Sequence, residues 1–312
     1  MGDPALNLLA SPNPRLSILM YHQVGRFESM RRHRANYCDA GRFRRQMWLL
    51  ANGGFNVVGL DEALDGLSGA RPWPPRAVLL SFDDAYANFV EHVLPVLNEH
   101  GLPAVVYAIS DWIGKRMQWA DASEGRVQSE LMTAAQLREA QAAGITIGSH
   151  GMSHRKLAEL APSQQAIELR DSREALEDLL GQPVEHFCYP FGSIDRSSVR
   201  LACEAGYRSA MTCLRGAATR VDHPLLLPRK AISFGDNLLG FAWKLQVKHR
   251  PKPALDAWRR WAADGLEAEG SAAAALDADV MESGEVCSAD GTDGPGTAAP
   301  TAPDQRGCGG ST

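Results

Sequence analysis

Seven short apolar runs separated by stretches of helical periodicity constrain this chain more than any other feature. The runs are LSILMY (16–21), FNVV (55–58), AVLLSF (77–82), AVVYAI (104–109), ITIGS (145–149), HFCYP (186–190) and RSAMTC (208–213). Several are apolar on both faces, as strands are when covered on both sides. Between them, Phe43, Met47 and Leu50 share one helical face, and so do Tyr86, Phe89, Val93 and Leu97. Pro95 should kink the second of these helices, because it removes a ladder hydrogen bond. Thr133-x-x-Gln136 is a capping box, with Met132 and Leu137 as its hydrophobic staple, and Gly144 stops that helix. Strands and helices in alternation predict an α/β fold, a barrel of mainly parallel strands. No strand is followed by GxGxxG or GxxxxGK[ST], which argues against nucleotide binding.

The 312 residues, 45% of them hydrophobic, suffice for one barrel with a sizeable core. No window approaches the ~20 apolar residues of a membrane-spanning helix. The six cysteines include no CxxC, so neither a disulfide framework nor a thiolate zinc site is expected, and a reducing compartment fits. The start, MGDPALNLLASPNPR, shows no basic stretch followed by an apolar run, and the expected location is cytoplasmic. The net charge of −5 divides unevenly: from Asp264 onward ten acidic residues face one Arg, which leaves the rest at +4. Poor in aliphatic side chains, that tail cannot offset its ordering entropy and is expected to be disordered. The organisation predicted is a flexible 1–13, one barrel domain over 14–262 and a disordered acidic tail over 263–312.

Three patterns sit just past strand ends, where the loops of a barrel converge on one mouth. The first is Ser81-Phe82-Asp83-Asp84. Adjacent carboxylates at the end of a buried strand are costly unless something charged sits between them. One can hold a metal while the other faces a water on it; the plainer reading is a polar exit that caps the next helix. The second is Ser149-His150-Gly151-Met152-Ser153-His154, whose two imidazoles four residues apart can share one side of a turn, as zinc ligands do. With one Asp they make a two-histidine, one-carboxylate set that leaves a position open for water. The third is Cys188-Tyr189-Pro190-Phe191-Gly192, a stiff turn that could wall a groove; taken alone, the plainer reading is a turn that ends a strand.

Taken together, and with Met20-Tyr21-His22-Gln23-Val24 and Leu227-Pro228-Arg229, these patterns resemble the polysaccharide deacetylase (NodB-like) family from about Ser17 to Ile232. The resemblance implies a distorted, incomplete (β/α) barrel with a metal at its mouth. It implies one divalent metal, usually zinc, on Asp84, His150 and His154, with Asp83 as general base, and a carbohydrate or glycoconjugate substrate that loses N-acetyl groups as acetate. Tyr189, Pro190 and Phe191 then stand as substrate-binding candidates.

Two departures qualify it. The family's third motif usually begins with an Arg that orients the catalytic Asp; this chain has Cys188 there, and Arg229 is a candidate replacement. The family's late motif with its catalytic His has no clear match, since His223 lies in the context Val-Asp-His-Pro. The branch acting on poly-β-1,6-N-acetylglucosamine is similar in both respects and carries an early Tyr-His, which makes His22 the preferred general acid over His223. The same site could instead cut a linear or cyclic non-carbohydrate amide, or the barrel could bind glycan without turnover. Finally, residues 243–261 carry six Lys or Arg and three of the seven tryptophans. Such a segment can lie peripherally on an anionic membrane or dock a partner, or simply pack its tryptophans on the barrel. Nucleic acid is not an expected partner.

Overall fold

The computed structural model describes residues 14–28, 30–119 and 127–263. The first third holds β1 (Leu16–Tyr21), β2 (Gln23–Gly25), β3 (Tyr37–Asp39), α1 (Ala40–Asn52), β4 (Asn56–Val57) and α2 (Leu60–Ser68). Then come β5 (Ala77–Phe82), α3 (Asn88–His92), α4 (Leu94–His100), β6 (Val105–Ala108), α5 (Ala134–Ala142), β7 (Thr146–Ser149) and α6 (Pro162–Leu180). The last part holds β8 (His186–Cys188), α7 (Arg196–Glu204), β9 (Ser209–Arg215), β10 (Leu227–Ala231), α8 (Leu238–Gln246) and α9 (Pro253–Ala263).

The main sheet runs in the order β1-β10-β9-β8-β7-β6-β5, every pair parallel, and β1 pairs again with β5 from Leu16 opposite Ala77 to Tyr21 opposite Phe82. Seven strands therefore close into a barrel, one short of the regular eight. β4 joins only the start of β5, and β2 and β3 pair apart from the barrel. Both strand faces are apolar because both are covered. Leu16, Ile18, Leu79, Val105, Tyr107, Cys188 and Met211 meet in one cluster with Leu60, Ala63 and Leu67 of α2. The alternate residues Leu19, Tyr21, Val78, Leu80, Phe82 and Val106 meet Phe43, Met47 and Leu50 of α1 and Phe241 and Leu245 of α8.

The seven expected strands are all present, and the capping box at Thr133–Gln136 forms with both of its hydrogen bonds. The apolar helix spanning Pro95 is broken: α3 ends at His92, α4 starts at Leu94, and Pro95 sits in the first turn of α4, where its missing N–H costs nothing. β10, which carries Arg229, is a strand that apolar patterning does not find. Its LPRKA contains Pro228, and its register against β9 shifts between Leu227 and Arg229, an irregularity at which a ladder tolerates proline. α9 runs to Ala263, one residue past the expected domain boundary. Residues 1–13 and 264–312, expected to be flexible and disordered, lie outside the described residues. No described helix is long and apolar enough to cross a membrane.

Candidate active site

Strand register brings the site together. Tyr21 lies opposite Phe82, so the residues that follow, His22 and Asp83, leave the barrel side by side, and the Asp83 N–H donates to Tyr21 O at 2.9 Å. Ser149 lies opposite both Ala108 and Phe187, and the His150 N–H donates to Ala108 O at 2.7 Å. After β5 the chain turns abruptly through Asp84 (φ 70°) and Ala85 (φ 52°), both left-handed without being glycine. Such residues cost about 1–3 kcal/mol each and cluster at functional sites. Here the turn sends the two adjacent carboxylates to different partners.

Asp83 belongs to Arg229. The buried guanidinium grips both oxygens, Nη1 to Oδ1 at 2.6 Å and Nη2 to Oδ2 at 2.8 Å. Its other donors reach Thr212 O (2.8 Å), Ser81 Oγ (3.2 Å) and Cys188 Sγ (3.2 Å), so all five N–H groups are used. Cys188 thus occupies the place of an orienting arginine while a different strand delivers one; the small thiol leaves room for it. Burial pushes the Asp83 carboxyl up, but the charge and hydrogen bonds of Arg229 override it and hold the group below its ordinary value.

Asp84 belongs to the histidines. Its Oδ1 stands 3.2 Å from His150 Nε2 and 3.3 Å from His154 Nε2. All three side chains are buried, yet Oδ1 has no hydrogen-bond partner. Three donor atoms that face one another without hydrogen bonding are arranged as ligands around a shared cation, and two imidazoles with one carboxylate suit a divalent metal that keeps an open position. His150 Nδ1 lies 2.6 Å from Cys188 O; a carbonyl can only accept, so Nδ1 carries the proton and Nε2 is turned toward the cluster.

His154 is presented by a turn with Gly151 at φ 79° and His154 itself at φ 62°. Buried Glu168 of α6 holds that turn, accepting from Met152 N (2.8 Å), Ser153 N (2.9 Å) and Ser153 Oγ. The His154 ring packs against both Trp119 and Phe191, with ring centroids 4.4 Å away in each case. Glu168 and Trp119 went unnoticed in the sequence. Each is distant along the chain from the motif it serves and sits in no pattern of its own.

His22 Nε2 stands 3.8 Å from Asp83 Oδ2, and its side chain is 16% exposed at the mouth. Burial lowers its proton affinity and Asp83 and Asp84 raise it, which leaves the net below the ordinary histidine value. His223 is placed elsewhere: it caps the turn Pro224–Leu226, with Nδ1 accepting the Leu225 N–H at 3.2 Å. The expected groove wall needs correction. Tyr189 and Pro190 are buried, and Tyr189 packs against Phe187 with its hydroxyl donating to Leu225 O, because the strand alternation at 187–189 turns the ring into the helical layer. Only Phe191, left-handed at φ 58°, reaches the ligand cluster.

Comparisons with known proteins agree with this geometry. Residues 70–210, which carry both aspartates, both histidines and Cys188, match the family model described as polysaccharide deacetylase. YxkH of Bacillus subtilis (strain 168), which bears the name of a polysaccharide deacetylase, is 28% identical over 221 residues, covering 71% of this chain and 72% of that protein. The poly-beta-1,6-N-acetyl-D-glucosamine N-deacetylase of Escherichia coli (strain K12) is 33% identical over 70 residues, 22% of this chain and 10% of that enzyme. In fold, the chain is similar to the Streptococcus pyogenes deacetylase PplD solved with acetate, with a TM-score of 0.65 at 20% identity over 75% of this chain and 99% of that one. With its barrel and its carboxylate–histidine mouth, the chain carries over residues 70–210 a match to the polysaccharide deacetylase family, whose members are hydrolases of N-acetyl amide bonds.

Proposed function

We propose that the protein is a divalent-metal-dependent N-deacetylase of N-acetylated sugars in a polysaccharide or glycoconjugate, releasing acetate. The observation that carries the metal is the buried, unsatisfied Asp84 Oδ1 facing two imidazole Nε2 atoms. Asp84, His150 and His154 would hold the cation, and zinc is the metal we favour for this donor set. When bound, it supplies Lewis-acid polarisation of the acetamide carbonyl and acidifies a water. Asp83, oriented by Arg229, takes the proton of the attacking water. His22, 3.8 Å from Asp83, receives that proton and delivers it to the departing nitrogen, so one proton passes from water to amine. Phe191 and Trp119 pack against His154 and give a sugar ring an apolar surface. The name of the Escherichia coli relative makes β-1,6-linked N-acetylglucosamine oligomers the first substrate to try.

The test is acetate release from a panel of N-acetylated glycans, glycoconjugate precursors and simple amides, before and after chelation and zinc addition. Zinc-restored release from a glycan supports the reading. Release that survives chelation removes the metal, and turnover confined to non-carbohydrate amides removes the substrate class.

A further inference from the structure

Helix α8 is mainly apolar on its outward side. Its inner side is apolar, with Phe241 and Leu245 buried against the barrel. On the opposite side, one helical turn apart, stand Leu239 (81% exposed), Trp243 (59%) and Val247 (50%). The residues interleaved on that outward side are Gly240 and Gln246, so the ridge carries no charge. A surface helix normally places its charged residues there, and an exposed ridge of large apolar side chains marks an interaction surface. The described residues leave this ridge uncovered.

What surrounds the ridge identifies its occupant. Between Asp236 and Asp256 the chain has no acidic residue, while Lys244, Lys248, Arg250 and Lys252 are basic. Folding adds cations from elsewhere. Lys252 N–H donates to Arg215 O at 3.1 Å, which sets this stretch beside the end of β9. His249 Nδ1 lies 3.1 Å from Lys230 Nζ, which also reaches Ser17 Oγ at 2.9 Å, so the segment touches the start of β1, where Arg15 stands exposed. The tryptophans divide accordingly: Trp258 and Trp261 are buried against α7 and its neighbours, and Trp243 alone of the three projects outward.

We infer that the Leu239–Trp243–Val247 ridge of α8 and its C-cap, followed along the chain by the exposed Lys248 and Arg250, is a peripheral membrane-docking surface for anionic lipid. An aromatic and two aliphatic side chains at the apex with cations beside them match an interface that is apolar below and anionic at its surface. A protein partner that supplied only acidic groups would leave the ridge in water. The acidic stretch 264–312 offers carboxylates but few large apolar side chains and so matches the charge without matching the ridge.

The test is cosedimentation of the full chain with phosphatidylcholine vesicles, with and without about one-third phosphatidylglycerol. Binding is expected to the anionic vesicles and to weaken with salt. Leu239→Ser with Trp243→Ser should lower partitioning by about tenfold or more, and Lys248→Gln with Arg250→Gln by about fivefold per charge removed. Both variants should keep the wild-type melting temperature and turnover of a soluble substrate, since neither pair touches the site. A full chain that stays in the supernatant with anionic vesicles overturns the inference, as does a ridge variant that sediments undiminished. A concentration-dependent dimer abolished by the ridge substitutions would assign the face to a second copy, and binding gained only on removal of 264–312 would assign it to the acidic segment; each outcome also overturns the inference.

Discussion

At the scale of single residues, the adjacent aspartates have separate tasks because the left-handed turn at Asp84 and Ala85 points them apart. Asp83 is fixed by a bidentate guanidinium, which a lysine cannot reproduce. Arg229→Lys should therefore keep the metal and lower kcat about 10- to 100-fold, with KM little changed; loss of bound metal instead would mean that Arg229 supports the ligand cluster. The two candidate acids are separated in the same way. His22→Ala should lower kcat by about 10²-fold with metal content intact, while His223→Ala, which removes only a turn cap, should remain near wild type. Kinetics of the two variants side by side would expose a reversed assignment.

At the scale of elements, the site depends on helices that contribute no ligand. Glu168 of α6 accepts three hydrogen bonds from the turn preceding His154. Glu168→Gln keeps the shape but replaces one acceptor by a donor, so zinc affinity should fall about 10- to 100-fold on competition with a chelating dye. His186 opens β8, where it is buried and bonded to Ser209 Oγ. Burial first, and then the charge of Arg208, lower its pKa from the ordinary histidine value of 6.5 to about 4. The folded value is the lower one, so between these limits the unfolded chain binds the extra proton and stability falls as pH drops from 6.5 to 4. The loss should reach about 3 kcal/mol at the acid end, and denaturant unfolding of His186→Gln should show a shallower slope over that window. An unchanged slope would assign the acid sensitivity to other groups.

At the scale of the whole molecule, β1 pairing with β5 closes the barrel, and α9 seals one flank by burying Leu255, Trp258 and Trp261. Trp258→Ala should cost about 3–5 kcal/mol, read as a lowered denaturation midpoint. A chain ending at Glu269 retains that seal and should keep both melting temperature and activity, since the residues removed lack the apolar side chains of a core. Marked destabilisation of that truncated chain would show that the acidic segment docks.

Much of this was legible from sequence because it is periodic or local. Apolar runs mark strands covered on both faces, Thr133 and Gln136 meet within one helical turn, and the spacing of His150 and His154 confines two imidazoles to one turn. The neighbouring pair Asp83 and Asp84 announced the carboxylates, and resemblance to a family assigned their roles. What the tertiary structure decided involves partners far apart along the chain. Arg229 reaches Asp83 across 146 positions from a strand that Pro228 conceals, and Glu168 of α6 serves the loop that carries His154. Tyr189 left the groove because strand alternation turned it toward Phe187 and Leu225. Local sequence specifies backbone preference and side-chain chemistry, but the direction in which a side chain points depends on register and on bends such as that at Asp84, which are fixed only when the barrel closes.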